Sequence, residues 1–179
     1  EMSDITVAKR YAVALFQIAK EQNLINRLEE ELRIVNEVFT NDNELLSFLA
    51  HPKMTKDAKG ALIANAFASL SSSVQNTVML MVERHRTDDV TAMAQEFIEL
   101  ANEENSVADA TVYTVRPLTE TEVEAVSTSF AAKIGKRNLR ITNITDSNIL
   151  GGIKLQIGNR IYDGTISGKL DRLSKQLLG

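Results

Sequence analysis

The 179-residue chain contains no cysteine, so neither a disulfide framework nor a cysteine metal site is available to it. Its two histidines, His51 and His85, each lack a second histidine nearby, which argues against a transition-metal site. No apolar run approaches the ~20 residues needed to cross a bilayer. The N-terminus lacks the basic start and apolar core of a signal peptide. Any membrane association is therefore expected only through partners. There is no Gly-x-Ser-x-Gly elbow and no phosphate loop of the Gly-x-x-x-x-Gly-Lys-Ser/Thr type. With no nucleophile, base and orienting group in a recognisable pattern, we expect no catalytic residues, no cofactor and no metal. Positive charge is also short. The 20 Lys and Arg are outnumbered by 24 Asp and Glu, and a net charge of −4 argues against a nucleic-acid partner.

What is present is enough for a core. Hydrophobic residues make up 44% and charged residues 25% of the chain, which excludes wholesale disorder. The length suits one medium domain or two small ones. Charge is unevenly spread. Residues 1–105 hold 10 Lys/Arg against 17 Asp/Glu, whereas residues 106–179 hold 10 against 7. Different fields on the two halves fit a linker with two different partners, and they also fit ordinary surface variation.

Hydrophobic periodicity predicts six helices before residue 105. The first spans Asp4 to about Lys20. The second, from about Leu24 to Phe39, places Leu24, Leu28, Leu32 and Val35 at helical spacing. Asp42 is placed to cap a short third helix with Leu45, Leu46, Phe48 and Leu49 on its apolar side. His51-Pro52 ends it, because the residue before proline disfavours helix. Thr55 caps a fourth helix reaching Phe67. Ser71-Ser72-Ser73 caps a fifth, Val74 to Arg84, and Thr87 or Asp88 caps a sixth, to about Glu104. Six short helices with brief connections predict a compact bundle. The acidic run Glu29-Glu30-Glu31 reads as a solvated face.

The period changes near Asn105-Ser106. Val107 to Val115 alternates and is rich in β-branched residues, which predicts a strand. Thr119 and Glu122 have capping-box spacing and open a helix with Val123, Val126, Phe130 and Ile134 on one face. Gly135 closes it. Leu139 to Ile144 alternates as a second strand. The cluster Lys133, Lys136, Arg137 and Arg140 reads as a solvated turn or a landing site for an acidic partner. A final helix is expected, with Ile166, Leu170, Leu173 and Leu177 along one stripe.

The most informative block is Gly151-Gly152-Ile153-Lys154-Leu155-Gln156-Ile157-Gly158-Asn159-Arg160-Ile161-Tyr162-Asp163-Gly164-Thr165. Gly158-Asn159 is a two-residue turn with glycine first, as type II′ requires. That fixes the register. Ile157 faces Arg160, Leu155 faces Tyr162 and Ile153 faces Gly164. Ile153, Leu155, Ile157 and Tyr162 then share the core face, and Lys154 opposes Asp163.

The first helix has more apolar surface than one core contact needs. Ile5, Ala8, Ala12, Phe16 and Ala19 form one stripe. Val7, Tyr11, Ala14, Leu15 and Ile18 form a second. Two stripes fit a helix at the centre of the bundle or one that keeps a face for a partner. On the fifth helix, Val74, Val78, Met81 and Val82 form the core stripe, while Leu80 lies among Asn76, Glu83 and Arg84 on the opposite side. An exposed leucine beside the small residues of the first helix would floor a groove for an amphipathic helix, if the two helices are neighbours.

Two ends of the sequence resemble one family. These are Ile5-Thr6-Val7-Ala8-Lys9-Arg10-Tyr11-Ala12 with Leu15-Phe16, and Asp146, Ile149, Gly151-Gly152, Ile157-Gly158, Asp163-Gly164 and Lys169-Leu170 at this spacing. They resemble the delta subunits of F-type ATP synthases, called the oligomycin sensitivity-conferral protein in mitochondria. Departures are mild: Asn159 stands where Asp is usual, Tyr162 where an aliphatic is usual, and Thr165 where Ser is usual.

The resemblance implies a mainly α fold, with an N-terminal six-helix bundle over residues 1–105 and a small α/β C-terminal domain over residues 106–179. It implies a non-catalytic stator subunit that joins the catalytic head to the peripheral stalk during proton-driven ATP synthesis. The alpha-subunit N-terminal helix would dock on the first and fifth helices, at positions matching Tyr11, Ala14, Ile18, Asn76, Leu80 and Glu83. Val7 joins them because it lies on the same stripe. The C-terminal domain would bind the C-terminal region of the b subunits. With no transit pattern at the N-terminus, the expected place is the cytoplasmic face of a bacterial cell membrane. The alternatives are a free-standing adaptor that takes another partner's amphipathic helix, and a small hydrolase or ligand-binding domain, which the lack of a polar cluster disfavours.

Overall fold

The computed structural model describes residues 2–164, with side chains of the first helix from Ile5 onward. The protein is mainly helical, with a small four-stranded sheet in its C-terminal part. The chain divides into two compact units, residues 1–101 and 102–179. The final helix expected around Ile166 to Leu177 lies outside the described residues.

The first unit is built from α1 (Met2–Glu21), α2 (Ile25–Asn41), α3 (Asn43–Ala50), α4 (Lys56–Ala66), α5 (Ser72–Glu83) and most of α6 (Val90–Asn105). A 3-10 turn, Thr87–Asp89, leads straight into α6 where the sequence pointed to a simple cap. The expected caps at the third and fourth helices are present. Asp42 Oδ1 accepts the Leu45 N–H at 3.0 Å, and Thr55 Oγ1 accepts the Ala58 N–H at 3.1 Å. Each satisfies a helix-start donor that has no partner within its own helix.

Periodicity decides what enters the core. Leu28, Leu32 and Val35 of α2 meet Val74, Val78 and Met81 of α5, Met93 and Phe97 of α6, and Leu15 of α1, all fully buried in one cluster. Phe16 meets Phe97 edge-on, with ring centroids 5.6 Å apart. Phe39 stacks on Phe67 at 6.0 Å. Two residues assigned to core stripes sit outside. Phe48 is exposed on α3, where Leu45 and Leu49 take the core side, and Ile5 is 67% exposed near the start of α1.

The acidic run on α2 is not a solvated face. Glu29 and Glu31 are buried, and only Glu30 is exposed. The reason is a helix end that needs an acceptor. Glu31 Oε2 accepts the Ser71 N–H at 2.9 Å, and Oε1 accepts the Ser71 hydroxyl at 2.9 Å and Arg27 Nε at 3.2 Å. Ser71 occupies the N-cap of α5 but makes no side-chain cap of its own. A carboxylate from another helix receives its donors instead, at the end where the helix dipole favours negative charge. Glu29 is held by Arg33 Nη2 at 2.9 Å.

The second unit orders its strands β2-β1-β3-β4, with β1 (Val107–Thr114), β2 (Asn138–Thr145), β3 (Lys154–Ile157) and β4 (Arg160–Asp163). β1 and β2 run parallel, joined through α7 (Glu120–Lys133), and the other two pairings are antiparallel. The hairpin register is the one the turn dictates. Leu155 pairs with Tyr162 and Ile157 with Arg160. Gly158 has φ +57° while Asn159 does not enter the positive region, as type II′ requires. Leu155 is fully buried, and Ile153, Ile157 and Tyr162 pack against the same cluster.

On α7 the capping box is complete, but the stripe is offset from the expected one. Ser127 and Ala131 are its buried residues, with Val126, Phe130 and Ile134 half-buried beside them. The Ser127 hydroxyl accepts the Leu139 N–H at 3.0 Å and donates to Asn138 Oδ1, tying α7 to the start of β2. Asn143 clasps β2 to β1. Its Nδ2 donates to Val112 O at 3.0 Å, and its Oδ1 accepts the Leu118 N–H at 2.8 Å.

Glu31→Ala removes a buried charged acceptor and leaves the Ser71 donors unmatched, so the unfolding midpoint in urea is expected to fall by an amount equivalent to about 1.5–3 kcal/mol. Glu30→Ala, on the exposed side, is expected to stay within about 0.5 kcal/mol of wild type. Equal effects of the two would contradict the buried role of Glu31. In the second unit, Arg116 grips Glu122 with two bonds of 3.0 Å and holds its carboxyl below the usual glutamate range. A depressed folded-state value means the pair favours folding above the unfolded glutamate pKa, and that this is lost as pH falls through the folded one. Arg116→Gln is expected to raise the Glu122 midpoint in an NMR titration, and an unchanged midpoint would refute the pairing.

Candidate partner-docking site

Three alanines decide how α1 sits. Ala8, Ala12 and Ala19 are fully buried together with Leu15. With nothing beyond Cβ, alanine lets a helix backbone approach its neighbours closely. Leu15 had been grouped with the second stripe, but it points into the core. The rest of that stripe faces outward. Val7 and Tyr11 are half-buried, Ala14 is exposed and Ile18 is 40% exposed. The helix is therefore not enclosed on all sides, and an apolar strip remains open along it.

α1 packs on α5 and on the 3-10 turn after it. The neighbourhood that sequence alone left open is thus present. A direct bond joins the two helices: Arg84 Nη1 donates to the Tyr11 hydroxyl oxygen at 3.2 Å. Val7, Tyr11 and Ala14 of α1 line an open cavity of about 510 Å³ with Arg10, Arg84 and Arg86. The floor is apolar and the rim is guanidinium.

The other singled-out residues lie nearby or elsewhere. Ile18 and Leu80, the latter 38% exposed, present apolar surface on α1 and α5 without lining this cavity. Asn76 is exposed one turn before Leu80 on α5. Glu83 faces a different hollow of about 550 Å³ between α4 and α5, where its carboxylate lies 3.4 Å from Lys56 Nζ. The structure therefore brings Val7, Tyr11 and Ala14 together, leaves Ile18, Asn76 and Leu80 exposed on the same two helices, and sends Glu83 to a separate hollow.

The arginines were missed as a group. Arg10 falls outside both apolar stripes of α1, Arg84 was placed on the polar side of α5, and Arg86 was passed over in the turn. Only the fold converges them. A sequence signal did exist in the repeated Arg84-His85-Arg86 spacing. His85 adopts φ +58°, a left-handed turn of the chain after α5.

Chemically, such a surface can hold and orient a helix. Among the described residues no group of three His, Cys, Asp or Glu is placed to hold a metal ion, and no helix is long and apolar enough to cross a membrane. The mainly helical fold, the small sheet and the open apolar strip are those of a structural, scaffold-type protein.

Comparison with known proteins gives the particular family. Residues 7–177 match the family model for the ATP synthase delta (OSCP) subunit, and the chain belongs to that family. It is 53% identical to ATP synthase subunit delta of Geobacillus sp. (strain WCH70), over 99% of this chain and 100% of the relative. It is 54% identical to the subunit of the same name from Anoxybacillus flavithermus, over 98% and 99%. The fold also matches a chain in the cryo-EM structure of the Toxoplasma gondii mitochondrial ATP synthase hexamer, with TM-score 0.70 over 96% of this chain and 97% of that one. At 18% identity, that match speaks to the fold alone. The family is a non-catalytic structural subunit of the F-type synthase.

Packing at α1 gives a paired expectation. Ala12→Leu would overfill the core and is expected to lower stability by about 1–3 kcal/mol. Ala14→Leu, one half-turn away on the open side, is expected to change it by less than about 0.5 kcal/mol. Urea unfolding of the two variants tests this, and a reversed order would place the open strip on the wrong side of α1.

Proposed function

We propose that this chain is the stator subunit that joins the catalytic head of an F-type ATP synthase to its peripheral stalk. In this reading, residues 1–105 act as a six-helix bundle that receives the N-terminal helix of the alpha subunit. Residues 106–179 bind the C-terminal region of the b subunits. The complex sits on the cytoplasmic face of the bacterial cell membrane and meets the membrane only through partners. The task is to resist torque while the rotor turns. It calls for static, tight binding and no chemistry.

One observation carries the head-docking half. α1 buries its alanine stripe and leaves Val7, Tyr11, Ala14 and Ile18 accessible beside α5, with Leu80 exposed on that helix. This is the kind of surface that accepts the apolar face of an amphipathic helix. Asn76 would border it with polar contacts, whereas Glu83, paired with Lys56 in the separate hollow, would reach a docked helix only by leaving Lys56. Fully burying a large aliphatic side chain is worth about 1.5–3 kcal/mol. Several such contacts, less the cost of ordering the peptide, can reach nanomolar affinity, about 12 kcal/mol.

The test is calorimetric titration of the full chain with a synthetic alpha N-terminal peptide of about 20 residues, long enough for an amphipathic helix. One-to-one binding with a negative heat-capacity change is expected. Ala14→Asp is expected to weaken it, because the new carboxylate would have to be desolvated beneath the docked helix, a cost that the nearby Arg10 only partly offsets. Equal affinity of the variant and wild type, with folding intact, would refute the placement. No binding to wild type would favour a free-standing adaptor with a different partner.

A further inference from the structure

The groove carries a charge pattern that its apolar strip does not require. Arg10, Arg84 and Arg86 stand around the cavity lined by Val7, Tyr11 and Ala14. Residues 1–105 as a whole carry an excess of acidic groups, 17 against 10 basic ones, these three arginines included. Three guanidiniums on one rim are therefore a local reversal of sign. Two of them, Arg10 and Arg84, are poorly neutralised from within. Arg10 is exposed and makes no ion pair among the described residues. Arg84 spends one donor on the Tyr11 hydroxyl, a neutral acceptor. Arg86 lies 3.5 Å from Asp89 and is the one of the three with a carboxylate beside it. A guanidinium keeps its charge at any physiological pH and presents a planar fork of donors suited to carboxylates.

We propose that Arg10 and Arg84 select the docking helix by its carboxylates, so that the partner must carry Asp or Glu flanking its apolar stripe. This rests on the docking reading above and adds to it the chemical class of the helix. The apolar strip supplies affinity for any amphipathic helix. The arginine rim separates acidic helices from neutral or basic ones and fixes which way round the helix lies. Rim charges of this kind act chiefly on specificity and association rate, and salt screens them. Arg84 has a second task, since its bond to Tyr11 holds the phenol ring in the wall of the groove. Arg10 has no such structural duty, so its replacement isolates the charge.

The experiment titrates the full chain with two probes at low and high salt. One probe is the alpha N-terminal peptide. The other is the same peptide with every Asp and Glu changed to Asn and Gln. Wild type is expected to bind the acidic peptide about tenfold more tightly at low salt, with the difference shrinking as salt rises. Arg10→Gln is expected to remove about threefold of that preference, and Arg10→Gln/Arg84→Gln most of it, read as the ratio of acidic-peptide to neutral-peptide affinity within each variant, so that any loosening of Tyr11 on losing Arg84 affects both peptides alike. Arg84→Lys keeps charge without the fork and is expected to fall between. Equal binding of the two peptides by wild type, or an unchanged preference in the double variant, would overturn the selection while leaving the docking reading intact. Failure of both peptides to bind wild type would overturn both. Preference for anionic lipid vesicles over the acidic peptide, lost in the double variant, would assign the arginines to a membrane surface and overturn it as well.

Discussion

The close seating of α1 is the constraint on which the rest of the first unit depends. Ala8, Ala12 and Ala19 present only Cβ atoms to the core, Leu15 supplies a fully buried large side chain, and Phe16 packs against Phe97 from the edge. A helix seated this way uses up little of its apolar surface. Val7, Tyr11, Ala14 and Ile18 are consequently left outside, beside α5. In the proposed function, stability and docking draw on opposite sides of the same twenty residues. In the proposed docking, the cost of an exposed apolar strip is tolerated because a partner helix removes that strip from water.

Around this helix the unit is held by polar contacts that are specific rather than numerous. Glu31 receives both the backbone and the hydroxyl donors of Ser71 and so ties α2 to the start of α5. α5 in turn carries Leu80 and, just past its end, Arg84. A carboxylate buried forty residues away in sequence thus helps fix the second wall of the groove. The second unit uses the same logic with different parts. Ser127 pins α7 to β2, and Asn143 pins β2 to β1. The sheet register around the Gly158-Asn159 turn is set by the turn and by the burial of Leu155. In the proposed stator, such pinned elements are what a load would act on.

Much of this was legible in the sequence, for local reasons. Helix starts at Asp42, Thr55 and Thr119 follow from side-chain oxygens placed to accept nearby backbone donors. The hairpin register follows from a two-residue turn with glycine first. Both are decided within a few residues. The readings that failed depend on tertiary neighbours. Glu29 and Glu31 looked like solvent-facing acids because nothing local shows that Ser71 and Arg33 will supply their donors. Phe48 was assigned to the core by its period, yet α3 is too short for both its flanks to be covered. The convergence of the arginines was hidden for the same reason: Arg84 and Arg86 stand close in sequence, but Arg10 is separated from them by most of the unit and joins them only when α1 packs on α5.

The central claim is that the open side of α1 and the adjoining side of α5 form one surface that a partner helix covers. The most direct test is to follow the backbone amide resonances of the full, isotopically labelled chain while adding unlabelled alpha N-terminal peptide. The account predicts that the largest changes fall on residues 7–18 of α1 and on residues 76–86 in and after α5, with α2 and the four strands little affected. Changes concentrated in residues 107–163, or spread evenly over the chain, would contradict it.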